Sequence, residues 1–161
     1  MCLSMADYQL PMDNEKEKEI AMARGIVCLV AFSLVFLVSA AMAADSEKET
    51  AAVAAAEKWL AVVDQGRYAE SWQEAAEYFR TAVGKEQWEQ ALLAVRKPLG
   101  NLISRKVKST TYTTSLPGAP DGQYVVIQFE TSFANKKDAV ETVTPMMDKD
   151  GKWRVSGYYI K

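Results

Sequence analysis

The stretch YVVIQFETSF, residues 124–133, decides the fold class of this chain because it alternates as a β-strand does. Every second side chain is apolar or a threonine, which places one set of side chains on a single face of the strand. That face is formed by Val125, Ile127, Phe129, Thr131 and Phe133. The stretch therefore predicts a half-buried strand within a sheet.

Three further segments have strand character and flank this one. They are rich in β-branched and aromatic residues, and they cover residues 102–114, 139–147 and 152–160. Clusters of proline, glycine, asparagine and aspartate separate the strands, as in tight turns. Because neighbouring strands are joined by short turns, we predict an antiparallel meander of four strands.

Single residues predict details of the later strands. Pro145 has no N–H group, so the third strand is predicted to be an edge strand or to carry a bulge. The Asp150-Gly151 dipeptide is typical of a hairpin turn before the fourth strand. Strict alternation in the fourth strand would then place four residues on one face, namely Trp153, Val155, Gly157 and Tyr159.

Before the strands, apolar residues recur at spacings of three and four, which is typical of amphipathic helices. A capping box, Ser46 to Glu49, predicts a first helix that begins there and runs to about Asp64. Two more helices are predicted over residues 68–80 and 85–97. The predicted inward residues are Ala52, Ala56, Trp59, Leu60 and Val63, then Trp72, Ala75, Ala76 and Phe79, then Trp88, Leu92 and Val95.

Because the predicted helices precede the predicted strands along the chain, we predict an α+β fold. In this fold the N-terminal helices pack on one face of the four-stranded antiparallel meander sheet. Such a curved sheet with helices against it can leave a concave pocket, and a ligand site is expected there.

Residues 22–43 have the three parts of a secretory signal. Arg24 gives a basic start, an apolar run follows, and Ala41-Met42-Ala43 is an A-x-A cleavage site. We therefore expect cleavage near Ala43-Ala44 and a single α+β domain over residues 44–161. The location would be the periplasm or the outside of the cell, with membrane contact only during export. An uncleaved anchor is the alternative, since about 20 apolar residues span a bilayer.

Residues 1–21 do not suit a signal peptide. Glu15, Glu17 and Glu19 are acidic where a signal should be basic. A start at Met22 would place Arg24 directly before the apolar run. We hypothesise that translation begins at Met22 and that residues 1–21 are a gene-start artefact or a disordered extension.

Composition argues against several classes of function. The formal net charge of the 161 residues is −2, which argues against a nucleic-acid partner. There is no histidine, and both cysteines, Cys2 and Cys28, precede the predicted cleavage site. The predicted domain therefore has no thiol nucleophile, no thiolate ligand and no Ser-His-Asp triad. We predict no metal, no cofactor and no catalytic residue.

Four groups of residues resemble a bacterial family. They are Trp59-Leu60-x-x-Val63-Asp64-x-Gly66-x-Tyr68-x-x-Ser71-Trp72, Arg96-x-Pro98-Leu99-Gly100, Pro117-Gly118-Ala119-Pro120-x-Gly122-x-Tyr124-x-Val126 and Asp150-Gly151-x-Trp153-x-Val155-x-Gly157-Tyr158. Together they look like the domain-of-unknown-function family 4019, from about Ala51 to Ile160. The resemblance implies a small exported protein and no particular activity. By element order the architecture is also similar to the cystatin-like and nuclear-transport-factor-2-like folds, and a fold does not determine a function.

Eight residues are candidates for a ligand cleft: Trp59, Asp64, Tyr68, Trp72, Arg96, Arg105, Glu130 and Tyr158. For the tryptophans, core packing is the simpler interpretation because aromatic rings dominate small cores. Asp64 lies at a predicted helix C-terminus, where the dipole disfavours a carboxylate, so we predict a specific partner such as an arginine. Arg96 ends a helix, where a cation is favoured. Arg105 would pair with a carboxylate or bind an anion.

Three functions stay open at this point. The leading one is an exported, non-enzymatic binding or interaction module for a protein, a peptide or a small ligand. The second is a proton-transfer enzyme with Asp64 or Glu130 as the base and Tyr158 as the proton donor. An enclosed cavity containing such a pair would favour the enzyme, and a filled interior would favour the module. The third is a structural envelope protein that forms a homodimer through an exposed sheet face.

Overall fold

The computed structural model describes residues 45–161, so the predicted signal segment, 22–43, and residues 1–21 lie outside the described part. The helices are α1 (45–64), α2 (Tyr68–Gln73), α3 (Glu77–Ala82) and α4 (Lys85–Leu99). The strands are β1 (Leu102–Thr113), β2 (Tyr124–Phe133), β3 (Lys136–Met147) and β4 (Trp153–Ile160). Among these residues, no helix has the length and apolar character needed to cross a membrane.

The four strands form one antiparallel sheet in the order β1-β2-β3-β4. The predicted α+β fold and the predicted meander are confirmed. The core lies between the helices and one sheet face, because alternate residues of β2 pack against the apolar stripes of α1 and α4. Its members are Ala52, Ala56, Trp59, Leu60, Val63, Trp88, Leu92, Val125, Ile127, Phe129, Val143 and Val155.

The predicted buried face of α1 is confirmed, but its predicted start is wrong. Residue 45 is already helical, so Ser46 does not cap the helix. Glu49, the other half of the predicted capping box, instead bonds to β1. It accepts hydrogen bonds from the Thr110 hydroxyl at 2.7 Å and from the Tyr112 N–H at 3.0 Å. A tertiary contact therefore takes the carboxylate that a capping box would have used.

The single helix predicted over residues 68–80 is two helices, α2 and α3. Ala75 and Ala76 lie between them, buried as predicted. The Ala76 N–H donates to the Val155 carbonyl oxygen at 2.8 Å. Because β4 pairs with β3 on its other side, this bond covers part of the outer edge of β4. The helix breaks because the sheet edge supplies an acceptor at this point.

The inward face of α4 also differs from the prediction at one position. Trp88 and Leu92 are buried as expected, but Val95 faces solvent and Arg96 takes the inward position. The helix ends at Leu99, and the next residue, Gly100, has a φ of 75°. A Cβ there would lie 3.1 Å from the Ala134 Cβ, so this helix end approaches the β2–β3 turn closely.

Pro145 is accommodated by a bulge and not by a sheet edge. β3 is an interior strand, and its register with β4 shifts between Thr144 and Pro145. Thr144 pairs with Gly157 and Pro145 pairs with Val155, which leaves Ser156 as an extra residue in β4. Of the two predicted alternatives, the structure has a bulge at Pro145 and not a sheet edge, and the extra residue of the bulge lies in β4.

The extra residue reverses the faces of β4 beyond Ser156. Tyr158 points toward the core, where its ring centroid lies 5.4 Å from that of Trp59. Tyr159 points outward and is 62% exposed. The strict alternation predicted for this strand is wrong because a bulge moves every later side chain to the other face.

Candidate functional site

Charged side chains from four elements meet inside the fold. Asp64 ends α1, Arg96 faces inward from the last turn of α4, and Arg105 and Glu141 face inward from β1 and β3. Two cations and two anions balance, and this balance makes their shared burial tolerable. We call these four residues, together with Thr131 and Tyr158, the ionic cluster.

Arg105 joins the two carboxylates of the ionic cluster. Its Nη1 and Nη2 donate to the two Asp64 oxygens at 2.7 and 3.0 Å. Its Nε and Nη2 donate to the two Glu141 oxygens at 2.6 and 3.2 Å. The planar guanidinium group is therefore bidentate toward both acids, which is the geometry that a lysine could not provide.

Arg96 connects the same two acids from the helical side. Its Nη2 donates to Asp64, and its Nη1 donates to Glu141 Oε1 at 3.2 Å. The guanidinium carbon lies 4.5 Å from the centre of the Phe133 ring, which adds a cation–π contact. The sequence predicts an arginine partner for Asp64, and the structure has two, Arg96 and Arg105.

Glu141 is the most deeply buried member, with 0% of its side chain exposed. Besides the arginines, it accepts hydrogen bonds from the Tyr158 and Thr131 hydroxyls, each at 2.6 Å. Within residues 45–161, every buried polar side-chain atom has a hydrogen-bond partner. The ionic cluster is thus complete without any added ligand, and it ties α1 and α4 to the sheet.

The surroundings of Tyr158 and Arg105 hold the protonation states of these two side chains. Burial, and then the negative charge of Glu141, raise the pKa of Tyr158 well above its ordinary value. Burial alone would lower the pKa of Arg105, but the hydrogen bonds to Asp64 and Glu141 outweigh it and the pKa is raised. The tyrosine is therefore a neutral donor and the arginine a permanent cation.

An open cleft of about 620 Å³ lies beside the ionic cluster. Its walls are the C-terminal ends of α1 and α4 and the start of β1. Asp64 and Arg96 are the cluster members that line it. The full lining is Val63, Asp64, Gln65, Gly66, Tyr68, Leu93, Arg96, Lys97, Gly100, Asn101 and Leu102. Sequence reasoning had named three of these as candidates, and the fold brings those three, Asp64, Tyr68 and Arg96, together.

A family model described as "Protein of unknown function (DUF4019)" matches residues 55–158. This span covers more than half of the chain and contains the whole ionic cluster. The chain belongs to the DUF4019 family. The resemblance noted from its aromatic, glycine and proline spacing is confirmed. Among curated proteins no match was found, and none was found among solved structures.

Two tryptophan candidates of this DUF4019 chain have structural roles in its core. Trp59 Nε1 donates to the Ser71 carbonyl oxygen at 2.7 Å, and Trp72 Nε1 donates to the Val83 carbonyl oxygen at 2.8 Å. Trp59 also borders a smaller hollow of about 270 Å³ beside Trp153. Neither Trp59 nor Trp72 lines the larger cleft.

The two proton-transfer pairs considered from the sequence are not assembled. Glu130 is exposed on the outer sheet face, where it forms a 3.4 Å ion pair with Lys108, whereas Tyr158 faces inward. Asp64 bonds to both arginines and has no hydrogen bond to Tyr158. The carboxylate that Tyr158 does contact is Glu141, which has no access to the cleft.

Glu141 and Thr131 are the DUF4019 site residues that sequence reasoning missed. The alternation of β2 predicts that Thr131 faces inward, as it does, but carries no signal that its hydroxyl belongs to a site. Glu141 lies between Ala139 and Val143, which are both buried at alternating positions of β3. An acid at an inward position of a strand was the available signal, since burial of an unpaired carboxylate is costly. The described residues contain no group of acids, cysteines or histidines suited to a metal ion.

Alkaline pH should destabilise this protein partly through Tyr158. Because its pKa is raised in the fold, the native protein keeps the proton after the unfolded chain has lost it. The contribution of Tyr158 to the free energy of unfolding is fully present below about pH 10. It is lost as the pH rises from there, by up to about 1.4 kcal/mol per pH unit. Urea unfolding between pH 8 and 11 should therefore show a shallower decline for Tyr158→Phe than for the wild type. Tyr159→Phe, at an exposed tyrosine, is the matched control and should decline as steeply as the wild type. If Tyr158→Phe declines just as steeply, the raised pKa does not belong to Tyr158.

Proposed function

We propose that this DUF4019 protein is an exported, non-enzymatic binding module whose ligand occupies the open cleft beside the ionic cluster. Export is inferred from the signal pattern in residues 22–43. The location proposed for the working protein is therefore the periplasm or the outside of the cell.

The observation that carries the proposal is that the cleft is open while the polar groups beside it are already paired. A catalytic base has to reach the proton it removes. Asp64 is held by two arginines, and Glu141 is fully buried. These contacts support a role for the two acids in holding the cleft wall rigid over a role in exchanging protons with a substrate. A rigid, preformed wall lowers the entropy lost on binding.

The lining of the cleft also suits a ligand. Leu93 and Leu102 provide apolar surface, while Gln65 and Asn101 provide amide groups. Apolar walls with a few converging polar groups are typical of small-molecule sites, whose volumes run from about 300 to 1,000 Å³. The 620 Å³ cleft lies within that range.

Native mass spectrometry of the protein purified from its own host tests the proposal. Leu93→Arg places a charged side chain in the cleft, and Val95→Arg makes the same change outside it. The two residues lie on the same helix with similar exposure, 53% and 45%. We expect a bound mass on the wild type and on Val95→Arg, and its loss from Leu93→Arg. A bound mass kept by Leu93→Arg, or none on the wild type, would contradict the proposal.

A further inference from the structure

The charges that line the cleft do not balance once the ionic cluster is considered separately. Asp64 and Arg96 belong to that cluster, in which two acids neutralise two arginines. The other charged residue of the lining is Lys97, which is exposed. Lys97 forms no salt bridge within residues 45–161. The cleft therefore presents one uncompensated positive charge.

Helix dipoles act in the opposite direction but do not cancel this charge. The C-terminal ends of α1 and α4 border the cleft, and such ends carry partial negative charge. Because this partial charge fades within one turn, the end that acts most strongly on Lys97 is that of its own helix, α4. A helix end carries about half a unit charge that fades within one turn, whereas an ammonium group carries a full unit.

Apolar surface lies beside this lysine. Leu93 precedes Lys97 by one helical turn and is 53% exposed, so both side chains lie on the same face of α4. Leu102 and Tyr68 continue the apolar lining on the other walls. A ligand that covered Leu93 would remove apolar area from water, which is favourable. The amide groups of Gln65 and Asn101 can donate hydrogen bonds to an acidic group.

We propose that the ligand of this cleft is a small amphipathic anion, a molecule with an apolar body and one acidic group. The apolar body lies against Leu93 and Leu102, and the acidic group pairs with Lys97. The cleft volume of about 620 Å³ fits a small molecule and not a protein surface. This inference rests on the proposed function, because it names the ligand class of the same cleft.

Fluorescent probes of different charge test the ligand class on the protein recovered from its host, after extensive dialysis has released the ligand that copurifies with it. The anionic probe is 1-anilinonaphthalene-8-sulfonate, the neutral probe is Nile red and the cationic probe is thioflavin T. The variants are Lys97→Glu for the charge, Leu93→Ser for the apolar wall and Lys149→Glu as the charge-matched control. Lys149 is a highly exposed lysine outside the cleft. Urea midpoints of all variants establish that each is folded during the titrations.

We expect the anionic probe to bind best and at one saturable site. Lys97→Glu should weaken its binding about three- to tenfold, the effect of replacing an exposed ion pair by repulsion, while Lys149→Glu leaves it unchanged. Leu93→Ser should weaken the binding as well.

Two other outcomes would overturn the inference, and they differ in what they mean for the proposed function. If the neutral or the cationic probe binds best and Leu93→Ser weakens that binding, the anionic class is wrong while the cleft remains a binding site. If no probe responds to Leu93→Ser, the ligand class and the cleft assignment both fail.

Discussion

Replacing Glu141 with glutamine is expected to destabilise the protein by about 3–5 kcal/mol, the usual cost of removing one partner from a buried ion pair. Glu141 is fully buried and accepts hydrogen bonds from Arg96 and Arg105. After the substitution, the two guanidinium groups share one carboxylate, that of Asp64. An uncompensated positive charge is then left inside the fold, where the cost of desolvation is not repaid.

Urea unfolding followed by circular dichroism measures this effect, and Glu130→Gln is the matched control. Glu130 lies on the neighbouring strand β2 but is exposed and pairs with Lys108 at the surface. The loss of such a pair changes the free energy of unfolding by less than about 1 kcal/mol. If Glu141→Gln does not fold at all, Thr131→Val, which removes one hydrogen bond to Glu141, should cost about 1 kcal/mol. Equal losses from the two glutamate variants would refute the structural role of the ionic cluster.

Trp59→Ala should cost about 3–5 kcal/mol, because it opens a large cavity at the centre of the core. Trp59 is 3% exposed and packs against Trp88 and Tyr158, with ring centroids 6.0 and 5.4 Å away. Its indole N–H also bonds to the Ser71 carbonyl oxygen. Trp59→Phe keeps most of the ring volume and loses that hydrogen bond, so we expect a smaller loss.

The tryptophan variants also separate core packing from ligand contact. Tyr159→Ala is the control, since Tyr159 is an exposed aromatic residue and should change the free energy of unfolding by less than about 0.5 kcal/mol. A Trp59→Ala protein with an unchanged urea midpoint but weaker probe binding would show that Trp59 contacts the ligand and is not a core residue.

Local patterns predicted the parts of the fold in which burial follows the period of a single element. The inward residues of β2 and the buried stripe of α1 were predicted residue by residue for this reason. The errors lie where a distant residue decides the local structure. The helix break at Ala76 depends on Val155, and the side on which Tyr158 lies depends on the bulge at Ser156.

In the site, too, local features were predicted and features set by distant residues were not. The poor fit of Asp64 at a helix C-terminus was visible locally and predicted an arginine partner. Which arginine, and the presence of Glu141, depend on pairs that are 32 to 45 residues apart in sequence. The chain contains many arginines and acids that could pair at such separations. The sheet register determines which of them meet.

The order of elements along the chain determines when the core can close. The apolar stripe of α1 is made first, yet it packs against residues of β2, β3 and β4, and the ring that meets Trp59 edge-on belongs to Tyr158 in the final strand. The partners of that stripe in a nascent chain are therefore incomplete until the last strand has been synthesised. The complete core therefore requires the last strand, and a chain that is not yet folded is the form that the export proposed above requires.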